Sequence, residues 1–418
     1  MNCLISFSRY SIYSLLIFTP LARGGVQMWA IALIHIITLL ALAAFLMSKS
    51  LAWNWEWFRT PLDMPILILL ILIVISTIFS INQRISIRSA TLFMNYLIIF
   101  YLTVHVFNSK KTLKGLICLI IGIAAFLAVF GFLKRFGMNP FRWWEYGDLN
   151  YSIEFFSATY GNHNHLAGYL EMSIPLLMGL LFMRFRGGRL IMLCYLILFT
   201  ITALILSLSR GGWAGFLIGM CFMLLVLLND SYFKHNRILV VLIGCIIITV
   251  FIILASTPVI ERIMTFAEKE QEASLSSRIA IWGGILKMIS DYPISGIGPG
   301  TFNIVFTQYQ PPGIAAYYDM AHNDYLHLTS EIGLPLIAVI IWMVVAFYKK
   351  GFKKLKNPSL FVRCITMGTM TGITAILAHS VTDFNMHIPA NALLFTILVA
   401  VTVSPLPEDL YYHHLKEC

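Results

Sequence analysis

Long apolar segments recur from one end of this 418-residue chain to the other. Most are about 17–23 residues long, the length that an α-helix needs to cross the hydrocarbon core of a bilayer. Because backbone polar groups in lipid must be satisfied within each segment, every one is predicted to be a helix. The chain is therefore predicted to be an all-α polytopic membrane protein with about twelve transmembrane helices, at residues 4–21, 26–47, 64–80, 90–107, 113–133, 164–183, 190–208, 212–228, 238–256, 327–348, 360–379 and 388–404.

Composition agrees with this fold class. Hydrophobic residues make up 59% of the chain and charged residues 11%, whereas a soluble globular protein carries about 25% charged residues. The connections are mostly short, so residues 1–418 are predicted to form a single membrane domain. The seven cysteines form no Cys-x-x-Cys pair, which argues against a disulfide framework or a zinc site. The first segment resembles a signal peptide in length but lacks a clear cleavage site, so we expect a retained span.

Lysine and arginine are concentrated in alternate connections, which indicates the orientation of the chain. By the positive-inside rule the richer side is cytoplasmic. Both termini are then cytoplasmic, and the long connections 134–163 and 257–326 are external. The net charge of +10 is spread over short loops, so we expect contact with membrane lipids and no nucleic-acid partner. The richer side holds Lys49, Arg59, Lys110, Lys111, Lys114, Arg184, Arg186, Arg189, Lys234, Arg237 and the lysines of 349–356.

The external connection 257–326 runs into the tenth predicted span at His322 and Asn323. Positive potential at a helix N-terminus favours neutral imidazole, which accepts a proton, so His322 is a candidate general base. Glu331 lies one to two turns further on, where an ionisable side chain is costly and usually functional. The alternative is structural: His322 and Asn323 cap the helix, and Glu331 pairs with His327.

Two arginines fall on the same predicted face. Arg210 stands between two apolar segments beside Gly211 and Gly212, which let another backbone or a ligand come close, and its guanidinium suits bidentate binding of phosphate. Arg278 opens an amphipathic stretch that ends near Asp291 and is predicted to lie in the membrane interface, within reach of a lipid head group. The plainer alternatives are an arginine that extends to the interface and a surface arginine on an interfacial helix.

Two further clusters lie on this face. The sequence Gly-Ile-Gly-Pro-Gly at 296–300 lacks the spacing of a dinucleotide-binding motif and is expected to form a turn. His163 and His165 enter the sixth span, where they and the neighbouring asparagines either bind sugar hydroxyls or cap the helix. Their separation by two residues is poor spacing for a metal on a helix.

No Asp-x-Asp motif supplies the grouped oxygen ligands that Mg²⁺ or Mn²⁺ prefers, so no metal is expected. If the chain acts on a diphosphate, the charge of the leaving group would have to be neutralised by arginine instead. Asp383, in the last external turn, either orients His322 or holds Arg210 in place, or is an ordinary turn residue.

Five motifs, in this order, resemble the O-antigen ligase / O-antigen polymerase C-type superfamily. The resemblance covers roughly residues 150–405, and the first third of the chain matches only in its spans. The motifs are Ser-Arg-Gly-Gly-Trp at 209–213, Ser-Arg-x-x-x-Trp at 277–282, Pro-x-x-Gly-x-Gly-Pro-Gly-Thr-Phe at 293–302, His-Asn-x-Tyr-Leu…Glu-x-Gly at 322–333 and His-Ser-x-x-Asp-Phe at 379–384.

The resemblance implies a GT-C-like membrane glycosyltransferase that uses no cofactor. It would move a glycan from a polyprenyl diphosphate carrier to an acceptor, lipid A-core in the O-antigen ligases, on the outer face of the cytoplasmic (inner) membrane, with inversion at the anomeric carbon. His322 would be the base, and Arg210 and Arg278 would bind the diphosphate. We add Asn323, Asp383, Glu331 and His163 as supporting residues.

Other functions remain open at this level. A polysaccharide polymerase or a protein O-oligosaccharyltransferase would share the chemistry and differ in the acceptor. A transporter of anionic solutes fits less well, because the chain shows no pair of broken helices in two matching halves. A scaffold protein would not need ionisable residues gathered on one side.

Overall fold

The computed structural model describes residues 2–53, 55–138, 156–183, 185–229, 278–312 and 318–405, with the single positions 241 and 244. Within these ranges every regular element is a helix. The helices of nine residues or more are, in chain order, α1 (Asn2–Leu21), α2 (Met28–Leu51), α3 (Asp63–Ile78), α4 (Gln83–Val106), α5 (Lys110–Arg135), α6 (His163–Leu181), α7 (Gly188–Leu206), α8 (Arg210–Asn229), α9 (278–291), α10 (Asp324–Ile332), α11 (Pro335–Leu355), α12 (Leu360–His379) and α13 (Pro389–Val403).

The all-helical membrane architecture expected from the apolar segments is confirmed. Eight described helices are long and apolar enough to cross a membrane, namely α1, α2, α4, α5, α7, α8, α11 and α12, and α3 and α13 are shorter apolar helices. The predicted span 238–256 lies almost wholly outside the described residues, as do residues 257–277 and 313–317 of the connection 257–326. The count of twelve spans stays a prediction.

The tenth predicted span, 327–348, was wrong as a single helix. It belongs to two helices, α10 and α11, which are separated at Gly333 and Leu334. Gly333 has φ +99°, a conformation that side-chain-bearing residues rarely adopt, and Pro335 lacks the N–H that a continuous helix would require. The freed N–H of Leu334 donates instead to the carbonyl oxygen of Pro293, at 2.8 Å.

Helix α12 lies at the centre of the bundle. In the most apolar 18-residue stretch of α12, 83% of the residues are buried within the protein, the largest share among the eight long helices. Glycines bring neighbouring backbones close: a Cβ added to Gly215 of α8 would lie 2.6 Å from Ala375 O, and one added to Gly372 would lie 2.6 Å from Met172 O of α6. Small residues at helix contacts are the usual device for tight packing in a membrane, where apolar side chains gain little by leaving lipid.

Contacts between helix ends distinguish two ends of the bundle. At the end that we call the basic end, Lys110 Nζ lies over the Phe361 ring, 5.9 Å from its centroid, and joins the starts of α5 and α12. Lys354 Nζ donates to Val401 O at 2.8 Å and joins the ends of α11 and α13. The opposite end, which we call the polar end, carries the starts of α6 and α8 and the end of α12. Lys110 and Lys354, which the sequence assigns to the same side of the membrane, thus lie at the same end of the bundle, and the orientation of that end stays a prediction.

Candidate functional site

The segment His379–Phe384, which we call the His379 turn, forms the centre of the polar end. Helix α12 ends at His379, and the chain turns before a short 3₁₀ helix at Asn385–His387. The N–H of Asp324, the first residue of α10, lies 2.9 Å from Ser380 O and 3.2 Å from Asp383 O. The start of α10 is thereby fixed against the turn.

Arg278 contacts this turn directly. Its Nη1 donates to Thr382 O at 3.2 Å. One face of α9 is held by apolar packing, and Trp282 Nε1, four residues beyond Arg278, donates to Ala321 O at 3.0 Å. Leu286 of the same helix is 57% exposed. The buried side of α9 consists of Ile281, Ile285, Met288 and Ile289.

Arg210 begins α8 beside the same turn. A Cβ added to Gly211 would lie 2.7 Å from His379 Nε2 and 2.8 Å from Thr382 Oγ1. The glycine next to Arg210 therefore permits the close approach that the sequence suggested. The Arg210 side chain itself is exposed, so its guanidinium is free to meet a ligand from solution or from the membrane interface.

His322 lies on the loop that enters α10. Its φ is +47°, which is uncommon for a residue with a side chain and often marks a functional position. The imidazole meets the edge of Phe384 with ring centroids 5.1 Å apart. Nδ1 is buried and has no hydrogen-bond partner in the part of the chain that the structure describes.

Burial lowers the pKa of His322. The carboxylate of Asp383 acts in the opposite direction, and the positive charge of Arg278 lowers the pKa further. At neutral pH the imidazole is consequently uncharged and able to accept a proton. Asp383 and Arg278 are thus electrostatic neighbours of His322.

Two of the supporting residues prove to have structural contacts. The Asn323 side chain caps α10 by accepting a hydrogen bond from Leu326 N at 3.0 Å. Glu331 Oε1 accepts from Gly300 N at 2.8 Å and lies 3.3 Å from His327 Nε2, so the expected pairing with His327 is present. Glu331 therefore anchors the glycine-rich segment 296–300, which forms the expected turn.

The two histidines at the start of α6 also reach the polar end. Asn162 caps this helix by accepting from Asn164 N at 2.8 Å. His165 meets the Phe384 ring edge-on at 4.9 Å between centroids, the same ring that His322 contacts. The His163 side chain makes a hydrogen bond with the backbone of Ser207, three residues before Arg210.

Sequence reasoning overlooked Glu171. It is fully buried in α6 and pairs with His379, with Nδ1 and Oε1 2.9 Å apart. Both side chains lie within the apolar bundle, next to Asp383, whose Oδ2 is 3.8 Å from His379 Nε2. The sequence feature that could have identified it is a lone acidic residue between Leu170 and Met172 inside an apolar segment. Ionisable residues in such positions are rare and usually functional.

Three side chains near α10 have the composition of a metal site. His327, Glu331 and His387 bring potential ligand atoms within 4.8 Å of one another. However, Ala321 N donates to His327 Nδ1 at 3.3 Å, which places the proton of a neutral ring on Nε2, where it faces Glu331 and not a metal. Burial opposes a charge on His387, but its hydrogen bond to Asp324 and the charge of that carboxylate raise its pKa overall. The group thus fits a hydrogen-bonded network better than a ligand set.

The fold and the site together define an integral membrane protein of helices with an arginine- and histidine-bearing centre at one end of the bundle. Residues 195–341 match the family model Wzy_C, described as O-antigen ligase. The matched segment contains the first four of the five motifs and ends before the His379 turn. No curated protein matches the chain.

Proposed function

We propose that this protein is a membrane glycosyltransferase that moves a glycan from a polyprenyl diphosphate carrier to a hydroxyl group of an acceptor, lipid A-core or a similar glycan. The observation that carries the proposal is the meeting of Arg210, Arg278 and His322 around the His379 turn. The family match over residues 195–341 supports the same class of reaction.

In the proposed reaction, His322 takes the proton from the acceptor hydroxyl. The acceptor oxygen forms a new bond to the anomeric carbon while the bond from that carbon to the diphosphate oxygen breaks, so the configuration inverts. Arg210 and Arg278 bind the departing diphosphate and stabilise its charge in place of a metal. By analogy with the loss of one oxyanion-hole donor, each arginine contributes about 2–4 kcal/mol in the transition state.

The supporting residues act around these three. Asn323 and Glu331 fix the start of α10 and the glycine-rich turn, Asp383 acts on His322 through its charge, and His163 contacts the segment before Arg210. The architecture is proposed to be GT-C-like. The basic end would face the cytoplasm with both termini, and the polar end would face the external side of the inner membrane.

Two alternatives share the geometry, because the acceptor is not specified by the three catalytic groups. A polysaccharide polymerase or a protein O-oligosaccharyltransferase would use the same base and the same arginines. A solute transporter is less favoured, since the ionisable groups collect at one end of the bundle whereas transporter sites lie near the bilayer midplane.

The principal test uses membrane vesicles that contain the lipid-linked glycan and acceptor. His322→Ala should abolish transfer while the protein remains inserted and folded, and Gln308→Ala, exposed on the same external connection, should transfer as the wild type does. Undiminished transfer by His322→Ala would refute the assigned base.

The acceptor and the orientation need separate measurements. A lipopolysaccharide gel from a deletion strain distinguishes a ligase, which leaves free core with accumulated lipid-linked polymer, from a polymerase, which leaves core bearing a single repeat. For orientation, His322→Cys in a background free of the seven native cysteines should react with an impermeant reagent from outside. Reaction only from the cytoplasm would overturn the orientation.

A further inference from the structure

A buried acid–imidazole pair lies beneath the His379 turn. Glu171 is 0% and His379 1% exposed, and His379 Nδ1 and Glu171 Oε1 lie 2.9 Å apart, within hydrogen-bond distance. The two residues join α6, on which Glu171 lies, to the last residue of α12. A pair of ionisable groups in the apolar interior is costly to bury unless it is well paired, and it is seldom present without a role.

The pair lies next to Asp383, at the proposed reaction centre. The second imidazole nitrogen of His379, Nε2, lies 3.8 Å from Asp383 Oδ2. His379 therefore lies between two carboxylates, those of Glu171 and Asp383, and an imidazolium at His379 would interact with both. The charge of Asp383 also acts on His322.

The same pair also supports the helix that carries Arg210. A Cβ added to Gly211 would lie 2.6 Å from His379 Cδ2, and one added to Gly215 would lie 3.0 Å from Glu171 Oε2. The backbone of α8 thus rests against both members of the pair. A change in their positions would move the start of α8, where Arg210 lies.

We propose that Glu171 and His379 are a positioning pair, which holds the His379 turn against α8 and thereby keeps Arg210, Arg278 and His322 at the distances that the transfer requires. The inference rests on the proposed function. Arg278 is included because the carbonyl that accepts its hydrogen bond, Thr382 O, belongs to the same turn. Misplacement of reacting groups by about 1 Å costs on the order of 100-fold in rate.

Packing of α12 does not by itself require the pair. Glycine contacts hold α12 elsewhere along its length: a Cβ added to Gly219 would lie 3.0 Å from Thr371 O, and one added to Gly368 would lie 2.8 Å from Pro175 O. Replacement of a buried ion pair by apolar residues of similar size is often neutral or stabilising, whereas removal of one partner leaves an uncompensated charge. Replacement of both residues by apolar side chains should therefore remove the proposed positioning contact without unfolding the protein.

The test uses the full-length protein in phosphatidylcholine nanodiscs. Undecaprenyl diphosphate without a glycan is the binding probe, and transfer is assayed in vesicles. The double variant Glu171→Met with His379→Leu should stay folded, with a thermal unfolding midpoint near that of the wild type. It should nevertheless bind the diphosphate at least about tenfold more weakly and transfer about 100-fold more slowly. Glu171→Gln keeps an acceptor for His379 Nδ1 and should recover most of both properties.

Thr371→Val is the matched control, since Thr371 is buried on α12 at the α8 contact but lies outside the pair. It should bind and transfer as the wild type does. A double variant that binds and transfers normally, or one that loses activity only in proportion to lost folded protein, overturns the positioning role. A wild-type protein that binds no diphosphate and transfers no glycan overturns the proposed function and, with it, this inference.

Discussion

Arg278 Nη1 donates a hydrogen bond of 3.2 Å to the main-chain oxygen of Thr382, 104 residues further along the chain. The contact joins α9 to the His379 turn and places a guanidinium within electrostatic range of His322. Because the bond uses one N–H group of the guanidinium, the remaining donors stay available for an anion. This relationship gives Arg278 a fixed position, which is what a ligand-binding arginine needs.

Loss of the Arg278 guanidinium should impair transfer strongly. We expect Arg278→Ala to reduce kcat/KM by about 100- to 1,000-fold, the usual effect of removing one charge-stabilising donor. Arg278→Lys keeps the charge but cannot make bidentate contacts, so it should recover only part of the rate. Initial rates of transfer in vesicles, normalised to folded protein, measure the effect.

The control for this prediction is Arg88→Ala. Arg88 is an exposed arginine on α4 and makes no contact that we invoke. It should leave the rate within about twofold of the wild type, as expected for a surface substitution. An equal loss in both variants would mean that general surface charge, and not the position of Arg278, determines the rate.

The lowered pKa of His322 predicts the pH dependence of transfer. Burial is the largest cause of this lowering from the usual 6.5, so the base form predominates at pH 7 and is lost only as the pH falls through the lowered pKa. We expect kcat/KM to be flat from about pH 7 to 8 and to decline on the acid side. An acid limb with a midpoint above pH 7 would contradict a buried, neutral base.

The neighbouring carboxylate should move that acid limb in a defined direction. Asp383 raises the pKa of His322, so Asp383→Asn should shift the midpoint to lower pH, in addition to any loss of rate. Measurement of the profile in the variant and the wild type at equal ionic strength tests the shift. A midpoint that moves to higher pH would show that the carboxylate does not act on the titrating group.

Close packing of α8 on α12 predicts a stability effect at Gly215. An added methyl group would meet the Ala375 carbonyl oxygen at 2.6 Å, and both are backbone-linked, so neither can rotate away. We expect Gly215→Ala to destabilise the protein by about 1–3 kcal/mol, measured by unfolding in mixed micelles. Gly122→Ala, where a Cβ meets no atom within 4 Å, should be neutral or slightly stabilising because alanine favours helix more than glycine does.

The arginine-based reaction predicts insensitivity to chelators. Transfer should continue after treatment with EDTA and dialysis, since Arg210 and Arg278 would neutralise the leaving diphosphate. The cluster of His327, Glu331 and His387 is the place to look if this fails. Activity that disappears with EDTA and returns with Mg²⁺ would contradict the proposed role of the arginines.

Several features of the site follow from local sequence rules. The asparagine before α10 caps it, since a short side-chain oxygen satisfies an N–H group of the first turn. Glu331 pairs with His327 because residues four apart face each other on a helix. The division of the tenth span at Gly333 was missed, although Gly-Leu-Pro at 333–335 is a local signal, because the apolar run continues through it and hydropathy alone does not register a backbone break.

The sequence alone determined that this is a helical membrane protein, since lipid permits few other backbone structures. It also indicated His322, Arg210 and Arg278 as candidates. Only the tertiary structure decided that they converge on the His379 turn and that Glu171 lies beneath it. Contacts such as that between Arg278 and Thr382 depend on how helices distant in the chain pack, and hydrophobic periodicity does not specify which helix will be the neighbour of another.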